Sequence, residues 1–112
     1  MTEYFGEVIS TYTDADAQAD GVLINTGDYF VEANGRPVNR VTASVWHEVI
    51  DPEKGCASVT RTKETGDRFI ALMDRLMATA KADRDWLILD GGRFWLIPNE
   101  VNGYTLMYPS DY

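Results

Sequence analysis

The 112-residue chain contains one cysteine and one histidine, and this scarcity limits its chemistry. A single thiol, Cys56, cannot form an intrachain disulfide, so packing alone must hold the fold together. It also supplies only one of the four ligands of a structural zinc site. His47 and Cys56 have no identifiable orienting partner, and we interpret His47 as a structural residue beside an apolar helix face. The sequence therefore predicts no catalytic residue, no metal site and no cofactor.

Long hydrophobic runs are absent as well. No apolar stretch approaches the roughly 20 residues of a membrane-spanning helix. The first residues, Met1-Thr2-Glu3-Tyr4, lack the basic and apolar regions of a signal peptide. We therefore expect a cytoplasmic protein that does not bind membranes. Because 45% of the residues are hydrophobic, the chain can bury a core, and its length predicts a single domain over residues 1–112.

Basic residues are absent from the first 35 positions. This segment holds seven acids and no Lys or Arg, and the whole chain carries a net charge of −8. Such a segment repels phosphate, so we expect no direct binding of nucleic acid. It attracts basic protein surfaces, including surfaces that normally hold nucleic acid. The alternative explanation is that the acids only keep a small domain in solution.

Two shorter helices are predicted in the first half of the chain. Thr13 and Asp16 have the spacing of a capping box, which predicts a helix over Asp14–Asp20. A second helix is predicted over Val41–Ile50, because its apolar residues recur on one helical face. The Asn- and Gly-rich segment between them predicts a loop with a short strand at Tyr29-Phe30-Val31.

The second half predicts a long amphipathic helix followed by three strands. Apolar residues at helical spacing place the helix from Thr65 to about Ala82. The strands are predicted at Trp86–Leu89, Phe94–Ile97 and Tyr104–Tyr108, joined by glycine-containing turns. Pro109 after the last strand is typical of a sheet edge. The expected fold class is α+β, an antiparallel C-terminal three-stranded meander packed against the long helix, with two shorter helices.

Five acids of the first third are the candidate partner-binding residues: Asp14, Asp16, Asp20, Asp28 and Glu32. Negative charge at Asp14 and Asp16 also suits a helix N-terminus, whereas Asp20 at the opposite end is less well explained by stability. Asp16 and Asp20 lie one helical turn apart. A hard cation needs six or more oxygens in a constrained loop, and the sequence has no such loop pattern.

A resemblance adds to these patterns. The stretch Val8–Thr13, then Ala15–Asp20 and Gly21–Ile24, contains Tyr-Thr, an alanine-rich segment, Asp-Gly and an apolar run. In this order it is similar to the opening of a family of small uncharacterised proteins of bacteria, phages and mobile elements. Similar but looser matches are Pro37–Trp46, Trp95–Glu100 and Gly103–Met107. The family's long middle region is shortened here. The resemblance implies a mobile-element setting and, because the family has no known function, no catalytic residues.

These observations favour a non-enzymatic acidic protein-binding module, of the kind that mobile elements use to inhibit host defence nucleases (anti-CRISPR or anti-restriction type). Its expected partner is a basic surface of a nucleic-acid-handling enzyme. A self-associating structural or regulatory accessory protein is the alternative, and a homodimer is compatible with either hypothesis. The third hypothesis is a small enzyme with a carboxylate-based site, for which no carboxylate pair is identifiable.

Overall fold

A computed structural model describes residues 13–19, 22–52 and 62–112 of the chain. The first described element is helix α1, Asp14–Ala19. Its predicted capping box is confirmed, because the Asp16 amide donates to Thr13 Oγ1 (3.2 Å) and the Thr13 amide donates to Asp16 Oδ2 (3.1 Å). Asp20, the predicted last residue of this helix, lies outside the described residues.

In the described part of the chain, seven strands and two further helices follow α1. The strands are β1 (Leu23–Asn25), β2 (Glu32–Ala33), β3 (Arg36–Thr42), β4 (Lys81–Asp83), β5 (Trp86–Leu89), β6 (Phe94–Pro98) and β7 (Tyr104–Met107). The helices are α2 (Ala43–Val45), which continues as a π-helical turn (Trp46–Ile50), and α3 (Lys63–Met77). Short 3-10 turns lie at Gly27–Tyr29, Asp90–Gly92 and Pro109–Asp111.

The seven strands form one mixed sheet in the order β1-β3-β7-β6-β5-β4, with β2 paired to β3 outside this path. β3 and β7 are parallel, and the other pairs are antiparallel. The predicted fold class is therefore wrong. The three predicted strands exist, but β5, β6 and β7 are the middle of a larger sheet and do not form a separate meander. β7, which Pro109 placed at an edge, is an internal strand.

The difference arises mainly at β3. Its sequence, Arg-Pro-Val-Asn-Arg-Val-Thr, lacks the apolar run that is typical of an internal strand. Val41, which the spacing places on the helical face, lies in this strand. Thr42 is the last residue of β3 and the N-cap of α2, which begins at Ala43. α3 is also shorter than predicted. It ends at Met77 because Lys81–Asp83 pairs with β5 as an additional strand.

The core lies on one face of the sheet. A row of paired and buried apolar residues crosses five neighbouring strands: Ile24, Val41, Leu106, Leu96 and Leu87. Helix α3 adds its buried stripe to the same cluster, with Phe69, Leu72, Met73 and Leu76. The predicted apolar stripe of the long helix is thus confirmed. Each of these larger side chains contributes about 1.5–3 kcal/mol of burial free energy.

Two predicted turns are confirmed by their backbone angles. Asn34 (φ 56°) and Gly35 (φ 82°) join β2 to β3, in the region of backbone space that tight hairpins use. Gly91 and Gly92 also have positive φ in the connection between β5 and β6. No helix in the described part of the chain is long and apolar enough to cross a membrane.

Candidate functional site

Asp14, one of the five predicted partner-binding acids, lies in a buried ion pair. The residue is 8% exposed. Arg40 on β3 donates from Nε to Asp14 Oδ1 (2.8 Å) and from Nη2 to Asp14 Oδ2 (2.9 Å). Arg40 Nη1 also donates to the Asn39 carbonyl (2.7 Å). Because both carboxylate oxygens accept from one guanidinium, the pair fixes both side chains and attaches α1 to the sheet.

The other predicted acids lie at separate places. Asp16 is exposed on α1, where its carboxylate accepts from the Thr13 amide. Asp28 is exposed in the turn Gly27–Tyr29, and Glu32 is exposed on β2. Asp20 lies outside the described residues. The structure thus separates the acids of α1 from Asp28 and Glu32, which flank one loop. Their role in partner binding stays a prediction.

Between Asp28 and Glu32 stands Phe30, which is 88% exposed, the largest value among the large hydrophobic residues of the described segments. The predicted strand over Tyr29-Phe30-Val31 is wrong, since Phe30 ends the 3-10 turn in the left-handed conformation (φ 55°, ψ 41°). This conformation costs an L-residue about 1–2 kcal/mol. Phe30 therefore adds nothing to the core while it holds a costly backbone geometry. This combination makes it a candidate for a role other than stabilising the fold.

We call residues 26–32 the Phe30 loop, and backbone contacts hold it at both ends. Thr26 is fully buried, its amide donates to the Asn39 carbonyl (3.0 Å), and its hydroxyl donates to the Val38 carbonyl (2.9 Å). At the other end, the Val38 amide donates to the Val31 carbonyl (2.7 Å). Both ends are therefore tied to β3, the strand that also carries Arg40.

Tyr29 attaches the same loop to α3. Its ring packs against Phe69 with a centroid distance of 5.8 Å, and its hydroxyl lies 3.0 Å from Thr65 Oγ1. Gly66 leaves room for this contact, because a Cβ there would lie 2.8 Å from the Tyr29 ring. Tyr29, the residue before Phe30, is thus held against α3, and this contact fixes the position of the loop that carries the exposed Phe30.

A cleft of about 430 Å³ opens beside α1. Its walls combine apolar and acidic side chains, among them Val22, Leu23, Met107, Asp14, Glu100 and Asp111. Glu100 accepts from the Asp14 amide, and Asp111 accepts from the hydroxyls of Thr42 (2.7 Å) and Ser44 (3.0 Å). These acids hold α1 and the C-terminal turn against the sheet. In the described ranges no group of three or more His, Cys, Asp or Glu residues is placed to hold a metal ion.

Of the two residues considered for catalysis, the structure describes only His47. His47 lies in the π-helical turn, where its Nδ1 is buried and has no hydrogen-bond partner among the described residues. Cys56 lies outside the described residues. Nearby, the Tyr108 hydroxyl donates to Glu48 Oε1 (3.4 Å). Burial, followed by the negative charge of Glu48, raises the pKa of Tyr108 above its usual value. The phenol therefore stays protonated at neutral pH and acts as a hydrogen-bond donor.

Comparison with protein-family models, with curated proteins and with solved structures finds no match for this chain. Sequence reasoning missed Phe30, because an aromatic residue between Tyr29 and Val31 has the composition of a strand. The sequence did contain one signal of the exposure of Phe30. The acids Asp28 and Glu32 lie on either side of it, and acidic residues are typical of an exposed segment.

Proposed function

We propose that this chain is a non-enzymatic, acidic protein-binding module whose contact surface is centred on the Phe30 loop. The observation that carries the proposal is the 88% exposure of Phe30 on a loop tied to both β3 and α3. Exposed acids, Asp28 and Glu32, stand two residues away on either side. A single exposed apolar residue is common on protein surfaces, but one held in a strained backbone by a built support is not.

In this proposal Phe30 provides the affinity. Burying a phenylalanine side chain completely contributes about 1.5–3 kcal/mol. The residues that dominate binding energy are large side chains that fill a pocket on the partner. Because Thr26 and Tyr29 already hold the loop, little conformational entropy remains to be lost on binding.

Asp28 and Glu32 provide the selectivity. Carboxylates beside an apolar anchor favour a partner pocket that is surrounded by Lys and Arg. The net charge of −8 accelerates the encounter with such a surface, and salt weakens that attraction. Asp16 on α1 adds to the same field. Asp14 contributes differently, since its pair with Arg40 positions α1.

The narrower form of the proposal is an inhibitor of a host defence nuclease, of anti-CRISPR or anti-restriction type. A basic groove that normally holds nucleic acid suits an acidic protein with an aromatic anchor. The resemblance of residues 8–24 to mobile-element proteins supports this form of the proposal, because inhibitors of this type are used by mobile elements. Self-association is the alternative, because a second copy can also bury Phe30, and a mass that rises with protein concentration would identify it.

Replacing Phe30 with alanine is expected to weaken partner capture at least about tenfold, because truncating a dominant interface side chain typically costs 2 kcal/mol or more. The measurement is affinity capture from a bacterial lysate with quantitative mass spectrometry. Ile70→Ala on α3 is the matched control, since Ile70 is also an exposed apolar side chain. The proposal is supported if Phe30→Ala fails to capture a basic nucleic-acid-handling protein that both the wild-type protein and Ile70→Ala retain. Equal retention by the wild-type protein and both variants contradicts it.

Reversing the charges beside Phe30, with Asp28→Lys and Glu32→Lys together, is expected to reduce capture at low salt by on the order of tenfold. The control pair, Asp67→Lys with Asp74→Lys, makes the same change in net charge on exposed positions of α3. Capture lost by the first pair and kept by the second assigns the effect to the Phe30 loop. Equal losses would show that only the overall charge matters.

A further inference from the structure

A smaller cleft of about 210 Å³ lies at the end of the sheet where β3, β5 and β7 begin. Its polar and aromatic lining includes Asn34, Arg36, Arg84, Asp85, Trp86 and Tyr104. The turn from β2 to β3 forms one wall, and the turn from β4 to β5 forms the other. The cleft shares no residue with the Phe30 loop and is considered independently of it.

Two arginines, Arg36 and Arg84, line this cleft. Within the described ranges, no carboxylate oxygen lies within 4.0 Å of a side-chain nitrogen of Arg36 or Arg84. Of the other arginines in these ranges, Arg40, Arg68 and Arg93 each have a carboxylate within that distance, and Arg75 on α3 has none. Arg36 and Arg84 differ from Arg75 because they line one cleft together, which places two positive charges at the same site in a chain with a net charge of −8.

The two arginines have different surroundings. The Arg36 guanidinium lies over the ring of Tyr104, 5.9 Å from its centroid, and Tyr104 is buried. Arg84 lies in the two-residue turn between β4 and β5, and its φ of 59° falls in the region that tight hairpins use. Asp85 also lines the cleft, so the lining holds two arginines and one carboxylate.

We propose that this cleft binds the phosphate group of a small phosphorylated molecule between the Arg36 and Arg84 guanidiniums. A guanidinium donates in a fork to two oxygens at once. A carboxylate has only two oxygens and is satisfied by one fork, whereas a phosphate has enough oxygens for two. The aromatic side chains of Trp86 and Tyr104 offer an apolar wall for the attached group.

The cleft suits a small dianion better than a nucleic acid. Its volume of about 210 Å³ admits one phosphate with a small attached group. A polyanion would meet the repulsion of the whole chain, which carries a charge of −8. A small ligand brings only the charge that the two arginines can neutralise.

The test is a titration of the isotope-labelled full chain with sodium phosphate, followed by nuclear magnetic resonance, against sodium chloride at equal ionic strength. The indole signal of Trp86, which lines the cleft, is expected to shift saturably with phosphate, while that of fully buried Trp46 stays in place. Phenyl phosphate, a small organic monophosphate, should shift the same residues. Equal shifts with chloride, or tighter binding of a single-stranded oligonucleotide than of the monophosphate, would overturn the proposal.

Variants locate the site. Arg36→Gln and Arg84→Gln are each expected to weaken phosphate binding by about tenfold or more, because each removes one charged fork. Arg75→Gln is the matched control, since Arg75 is exposed on α3 and does not line the cleft. Unchanged thermal unfolding confirms that each variant is folded. Phosphate binding that is equal in all three variants would place the anion elsewhere and refute the assignment.

Discussion

Replacement of Asp14 by alanine is expected to lower the free energy of unfolding by about 3–5 kcal/mol. The variant leaves the Arg40 guanidinium without its carboxylate, and a buried charge that loses its partner is far costlier than the pair is favourable. Arg40 is 8% exposed and lies on β3, which is paired on one side with β1 and on the other with β7. It therefore cannot reach water unless the strand moves. Urea denaturation followed by tryptophan fluorescence measures the loss.

Two further variants separate the ion pair from other effects on α1. Asp16→Ala changes an exposed acid of the same helix and is expected to cost only about 0.5–1 kcal/mol, as a lost cap contact does. Asp14→Leu combined with Arg40→Met removes both charges and should recover most of the loss, because apolar residues often replace a buried ion pair without cost. A loss below about 1 kcal/mol for Asp14→Ala would show that this pair does not hold α1.

Gly103→Ala is expected to destabilise the protein by about 3 kcal/mol. A Cβ at this position would lie 2.5 Å from the Pro37 carbonyl oxygen and 2.5 Å from Asn39 Oδ1. The Pro37 oxygen belongs to the backbone of β3, so relief requires β3 and β7 to separate. Asn39 also accepts from Asn99 Nδ2 (2.9 Å) and donates to the Val101 carbonyl (3.2 Å). Displacing Asn39 would break these hydrogen bonds too.

Gly91→Ala is the control for backbone strain. Gly91 has a φ of 66°, and a Cβ there would meet no atom within 4 Å. Alanine at Gly91 should therefore cost only the left-handed backbone, about 1–2 kcal/mol. Thermal denaturation of Gly91→Ala and Gly103→Ala under the same conditions compares the cost of backbone strain with the cost of steric overlap. If Gly103→Ala is no less stable than Gly91→Ala, the close approach of β7 to β3 is contradicted.

Three local signals in the sequence predicted local structure correctly. The capping box of Thr13 and Asp16, the apolar stripe of α3 and the glycine turn between β5 and β6 all depend on residues a few positions apart. The wrong fold class has a different origin. β3 is an internal strand because it pairs with β7 and because Asp14, 26 residues earlier, neutralises Arg40. No periodic pattern encodes a partner at that distance, so the spacing of Val41 alone predicts a helix.

The candidate site was likewise predictable only where its features depend on neighbouring residues. The acidity of the segment that contains Asp28 and Glu32 is visible in the sequence, and it suggested a protein partner. The exposure of Phe30 is not visible, because Tyr29-Phe30-Val31 has strand composition and the contacts of Tyr29 with Thr65 and Phe69, which help to hold the loop, join residues far apart in the chain. The burial of Asp14 was hidden for a similar reason, since its partner Arg40 lies 26 residues further along the chain.

The central claim is that position 30 touches a basic partner, and a photo-crosslinking amino acid placed there tests it most directly. The same crosslinker at position 70, the exposed isoleucine of α3, serves as the control. After irradiation in a bacterial lysate, we expect position 30 to be joined to a basic nucleic-acid-handling protein, in a yield that falls at high salt, and position 70 not to be. No crosslink at position 30, or the same products from both positions, would contradict the proposed binding surface.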